Sequence, residues 1–89
     1  MTAVTVGKMD EATFRGEMAR ARAMQELSPS PADADYWRGF ERGLRRRYHG
    51  ERFGTEEEHE RFLSLSEEEG DEFRRRFGEG YRDGLGKGA

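Results

Sequence analysis

His49 and His59 are the only histidines in a chain of 89 residues that contains no cysteine. Any general base or metal centre would have to be built around them. Both lie in a polar, Glu-rich stretch, where solvated side chains are the ordinary outcome and a closed ligand set is not. No serine stands in the Gly-x-Ser-x-Gly setting of a nucleophile elbow. Gly50-Glu51-Arg52-Phe53-Gly54 lacks the Lys and Ser or Thr of a phosphate-binding loop. The expectation is a protein that is not an enzyme, with no catalytic residue, cofactor or metal.

Arginine is the better-supplied chemistry. Arg38, Arg42, Arg45, Arg46 and Arg47 fall on one segment, and the guanidinium fork matches phosphate and base edges. The formal charge of -3 hides a strong segregation: residues 36–53 sum to +4 and residues 54–72 to -8. Such a basic helix is either a nucleic-acid footprint or a face neutralised by Glu56 to Glu60.

The elements that must position these groups are helical. Asp10 caps a helix with Phe14, Met18, Ala21 and Met24 or Gln25 on one stripe, weakened by Gly16 and ended at Leu27-Ser28-Pro29. Ser30-Pro31-Ala32-Asp33 starts a second helix, and Tyr36, Phe40, Leu44 and Tyr48 follow at four-residue spacing until His49-Gly50. Thr55 to Glu58 reads as a capping box before a short helix that buries Phe62 with Leu63 or Leu65. Ser66 to Glu69 reads as another, before a stripe of Phe73, Phe77, Tyr81 and Leu85 and a frayed tail from Gly86. Thr2 to Lys8 alternates as a half-buried strand, with Val4 and Val6 inward. A lone strand must find a partner from another chain or fray as a terminus, and an intermolecular ribbon is the more economical answer.

Composition points the same way. Leu, Ile, Val and Phe number 13, about 15% of the chain, which is thin for an independent core. Either part of the chain is disordered or it folds as an oligomer. No apolar run is long enough to span a membrane, and a soluble cytoplasmic protein is expected.

Tyr36-x-x-Gly39-Phe40-x-x-Gly43-Leu44 recurs as Phe77-x-x-Gly80-Tyr81-x-x-Gly84-Leu85, 41 residues later. Glycines four apart cost a helix about 2 kcal/mol. Close helix crossing is the favoured explanation, and a ligand groove the other.

The order of Thr/Val strand, Asp-capped helix, turn and Ser-capped helix resembles the ribbon-helix-helix transcriptional repressors over residues 2–48. That resemblance implies a mainly α fold with one short N-terminal β-strand. It implies a homodimer whose paired strands enter the major groove of double-stranded DNA, built by residues 1–49, with residues 50–89 as a helical extension that offers a protein partner a surface. On this resemblance Ala3, Thr5, Gly7, Lys8, Arg15, Ser30 and Arg45 face DNA. Val4, Val6, Phe14, Met18, Tyr36, Trp37, Phe40 and Leu44 form the dimer core. The expected function is a DNA-binding repressor. Two other functions stay open: a helical protein-interaction module without nucleic acid, and an RNA-binding factor, since the Gly-aromatic pattern looks somewhat like the ribosome modulation factors.

Overall fold

The computed structural model describes residues 9–50 and 53–86. They form four helices: α1 (Glu11–Leu27), α2 (Pro31–His49), α3 (Glu56–Leu65) and α4 (Glu72–Leu85). Each begins on an oxygen-bearing side chain that accepts one of the amides a helix start leaves unpaired. Thr13 N–H donates to Asp10 (2.7 Å), Asp33 N–H to Ser30 (3.2 Å), Glu58 N–H to Thr55 (3.0 Å) and Arg74 N–H to Asp71 (3.1 Å). Pro31 occupies the first position of α2, where its missing N–H costs nothing. Gly50 stops α2 in the left-handed region at φ 73°.

The start of α4 departs from expectation. Ser66 caps the C-terminal end of α3, and Asp71 performs the N-terminal capping. Ser66 Oγ instead donates to the Leu63 carbonyl (3.1 Å) and accepts from Arg82 Nε (2.6 Å), while Arg82 also donates to the Leu63 carbonyl. The Leu63 carbonyl is thereby satisfied from α4, while the Ser64 and Leu65 carbonyls accept from the Glu67 and Glu68 amides.

The centre of the molecule is the pair α2 and α4. Gly39 faces the Phe77 backbone and Gly43 faces Tyr81 and Gly84, while Gly80 faces Tyr36 and Gly84 faces Phe40. Position numbers rise together along this seam, so the two helices run parallel. A Cβ added at Gly39 or Gly80 would overlap the carbonyl oxygen of Phe77 or Tyr36. The glycines therefore let two backbones touch, and their helix-propensity cost is offset by packing that no other residue type permits.

The contacts are reciprocal under the 41-residue offset: 39 meets 77 as 80 meets 36, and 43 meets 81 as 84 meets 40. The offset also relates the caps Ser30 and Asp71. An approximate two-fold axis thus runs along the seam. Charges invert across it: Asp33, Asp35, Arg38, Glu41 and Arg42 correspond to Arg74, Arg76, Glu79, Arg82 and Asp83.

α1 packs on α2 through Met18 and Ala21, both buried, and through Phe14, whose ring stacks on Tyr48 at 4.2 Å. α3 packs on α4 through Phe62, edge-on to Phe77 and Tyr81, and through His59, whose Nδ1 lies 2.6 Å from the Tyr81 hydroxyl. Gly78 stands where α2 has Trp37, and its missing side chain admits the Leu65–Ser66 backbone. Leu44 is the most deeply buried large side chain, at 1% exposure.

These observations correct the ribbon-helix-helix expectation. The described residues are all helical, with no strand among them, and the partner of α2 is α4 of the same chain. The C-terminal helices are half of the core rather than an extension. Val4 and Val6, like Ala3, Thr5, Gly7 and Lys8, lie outside the described residues. No helix is long and apolar enough to cross a membrane among the described residues.

The seam is closed at one side by a polar pair. Tyr36 Oη donates to Asp83 at 2.5 Å, and Arg76 lies over the Tyr36 ring while reaching Asp33 at 3.4 Å. Burial, and then the Asp83 carboxylate, push the Tyr36 phenol up to about 12. A neutral phenol is required, so its contribution is whole below pH 10 and is lost as pH rises through 12. A phenolate absorbance titration of Tyr36→Phe should lack the last ionisation step of the parent protein, and helicity above pH 10 should fall less steeply.

Candidate functional site

The arginines of α2 are largely consumed within the fold. Arg38 pairs with Asp35 (2.6 Å), Arg42 with Glu58 (2.5 Å) and Arg46 with Glu56 (2.8 Å). Arg46 is itself buried, donates to the Phe53 carbonyl (3.1 Å), and the Arg42 guanidinium lies 4.5 Å from the Phe53 ring centroid. The acidic first turn of α3 thus neutralises the basic face of α2, and the salt bridges serve to dock α3.

Two open clefts stand out among the described residues. The first lies between α3 and the start of α4, with a volume of about 430 Å³. Phe62, Leu65, Phe73 and Phe77 supply its apolar surface, and Arg38, Arg61 and Arg74 its basic rim, beside Asp35 and Glu68. Phe73 is 49% exposed, although its counterpart across the two-fold, Ala32, is small and buried. Arg74 is paired with Glu68 at 3.0 Å. Arg61 stacks on Phe62 and meets no carboxylate among the described residues. The cleft is therefore an apolar trough with an unneutralised cation at its edge.

The second cleft, about 380 Å³, lies between α1 and α2 and is lined by Phe14, Arg15, Met18, Ala19, Arg22, Arg45 and His49. Arg15 is bound to Glu11 (2.6 Å) and Arg22 to Glu41 (3.4 Å), which leaves Arg45 without a carboxylate among the described residues.

The structure places the expected DNA-facing residues unevenly. Arg15 and Arg45 meet at the second cleft, Ser30 is spent as the cap of α2, and Ala3, Thr5, Gly7 and Lys8 lie outside the described residues. Phe14, Met18, Tyr36, Trp37, Phe40 and Leu44, expected at a dimer core, pack instead within one chain. Trp37 and Phe40 carry Arg20 over their rings at 5.5 and 6.0 Å. Arg61 and Arg74 were not singled out by sequence reasoning. The available signal was Phe73, an aromatic in a first turn with nothing four residues earlier to cover it.

His49 lies edge-on to Phe14 and Tyr48, whereas His59 belongs to the Tyr81 contact. Among the described residues no three of His, Asp or Glu converge as a metal ion requires. Burial raises the Tyr81 phenol above its ordinary value, so it meets His59 as a neutral hydroxyl. No protein-family model, curated protein or solved structure matches this chain.

Proposed function

We propose that this protein is a small helical interaction module, without catalytic activity, whose α3/α4 cleft captures an apolar peptide segment bearing an acidic residue. The observation that carries this is the pairing of a half-exposed Phe73 with an uncommitted Arg61 at one trough. Exposed aromatics beside arginine are the usual anchors of protein interfaces. Charge complementarity selects the occupant, because a carboxylate beside a large apolar side chain satisfies both features at once.

The remaining surface favours a protein over nucleic acid. Glu26, Glu57, Glu60, Glu69 and Glu72 have no ion-pair partner among the described residues, whereas most described arginines do. A phosphate backbone would meet net repulsion over most of the molecule. The opposing observation is the meeting of Arg15 and Arg45 at the second cleft.

Two probes separate these outcomes. A random-peptide phage library panned on the protein should enrich sequences with Asp or Glu next to Leu, Met or Phe. Phe73→Ser and Arg61→Glu should each weaken the selected peptides about tenfold or more without loss of helicity. A labelled mixed-sequence duplex at low salt should show no saturable binding. Saturable duplex binding that Arg45→Glu abolishes and Phe73→Ser leaves intact would replace this function with nucleic-acid binding.

A further inference from the structure

The large apolar side chains left exposed among the described residues are Met24, Leu27 and Phe73, at 38%, 76% and 49% exposure. All three stand at one end of the molecule. α2 and α4 run parallel, so their first turns share an end. Leu27 closes α1 just before the turn into α2, and Phe73 is the second residue of α4. Asp33 and Arg76, which meet across that end, confirm that the first turns are level.

The segment Met24-Gln25-Glu26-Leu27 has the chemistry the cleft selects: two exposed apolar side chains flanking Glu26, a carboxylate without an ion-pair partner among the described residues. We infer that the occupant of the α3/α4 cleft is the α1 terminus of a second copy of this chain, which rests on the peptide-docking function proposed above. Leu27 and Met24 of one copy cover Phe73 and Leu65 of the other, and Glu26 faces Arg61. Because donor and acceptor lie at the same end, two copies that meet end to end about a two-fold axis make the contact twice. The assembly closes as a dimer and does not propagate as a filament.

The inference commits to a pattern that nonspecific stickiness does not produce. Leu27→Asp and Phe73→Asp each remove both contacts of a homodimer. A mixture of the two variants keeps one wild-type contact, between Leu27 of one copy and Phe73 of the other. Sedimentation equilibrium from micromolar to millimolar concentration should show the parent protein passing from about 10.3 kDa to twice that mass. Each variant alone should dimerise at least tenfold more weakly with unchanged circular dichroism, and the mixture should recover a one-to-one dimer. A second pair keeps the charge term testable: Glu26→Arg and Arg61→Glu should each weaken the dimer, and the doubly substituted chain should regain it.

A parent protein that stays monomeric at millimolar concentration, or variants that dimerise as well as the parent, would overturn the second copy as occupant. Library peptides that still require Phe73 and Arg61 would then leave the docking function standing with a different partner. Failure of both experiments together would remove the function as well.

Discussion

Gly80→Ala should lower the melting temperature steeply, while Gly16→Ala should raise it. Both replace a helical glycine by the best helix former, a gain of about 1 kcal/mol by propensity alone. At Gly16 nothing lies within 4 Å of the added Cβ, so that gain is realised. At Gly80 the Cβ overlaps the Tyr36 carbonyl and comes within 2.9 Å of the Phe40 nitrogen. The obstruction is backbone on both sides and cannot rotate away. Relief requires α2 and α4 to separate, which also opens the Leu44 and Tyr81 packing. Overpacking costs about 1 to 3 kcal/mol, and a backbone obstruction belongs at the upper end, a large share of the roughly 4 to 13 kcal/mol that sustains a chain of this length. Thermal melts followed by circular dichroism measure both changes. Equal destabilisation by the two substitutions would show that the seam is not where the fold is decided.

The second large effect is expected from dividing the chain within residues 51–54. Each part then carries one helical hairpin with an uncovered glycine face, and neither should hold stable helix alone, because α2 and α4 are each other's core. Mixed at equal concentration, the two should recover the helicity of the intact chain as a one-to-one complex. Charge inversion across the two-fold dictates the partner. Pairing α2 with itself in the same geometry would put Asp35 where Arg76 meets Asp33, and pairing α4 with itself would set Arg74 against Arg76. Like charges replace the 3.4 Å Asp33–Arg76 contact in either case. Titration by circular dichroism with mass determination should show a sharp end point at equal amounts. Stable homodimers of either part would contradict the role assigned to these charges.

Local chemistry was well legible along the chain. Asp10, Ser30 with Pro31, and Thr55 each announce a helix that the structure contains, whereas of the stripe expected on α2 only Leu44 is fully buried and Tyr36, Phe40 and Tyr48 are half-buried beside the glycines that form the seam. The start of α4 was misplaced because Ser66-x-x-Glu69 and Asp71 both satisfy capping rules. The choice between them is made by Arg82, which engages Ser66 from another helix. The repeated glycines correctly pointed to a close helix crossing. What spacing cannot express is which helix lies opposite, since the same seam serves two copies of one hairpin or two hairpins of one chain. The strand-helix-helix order suggested the former, and the reciprocal contacts show the latter. The α3/α4 cleft was hidden for a related reason: its aromatics look like core until it is known that α3 covers only part of α4.

The arrangement of the seam also sets an order of events in time. α1 meets α2, and α3 meets α4, through connections of a few residues, whereas matching glycines on α2 and α4 are 41 residues apart. Closing the longer loop carries the larger entropy and rewards it only when four glycines are in register at once. The two hairpins are expected to flicker into helix within microseconds, with docking of one on the other as the slow, cooperative step. Hydrogen exchange would then find its most protected amides in the middle of α2 and α4, and exchange at the free ends of α1 and α3 would proceed by local opening without separation of the seam.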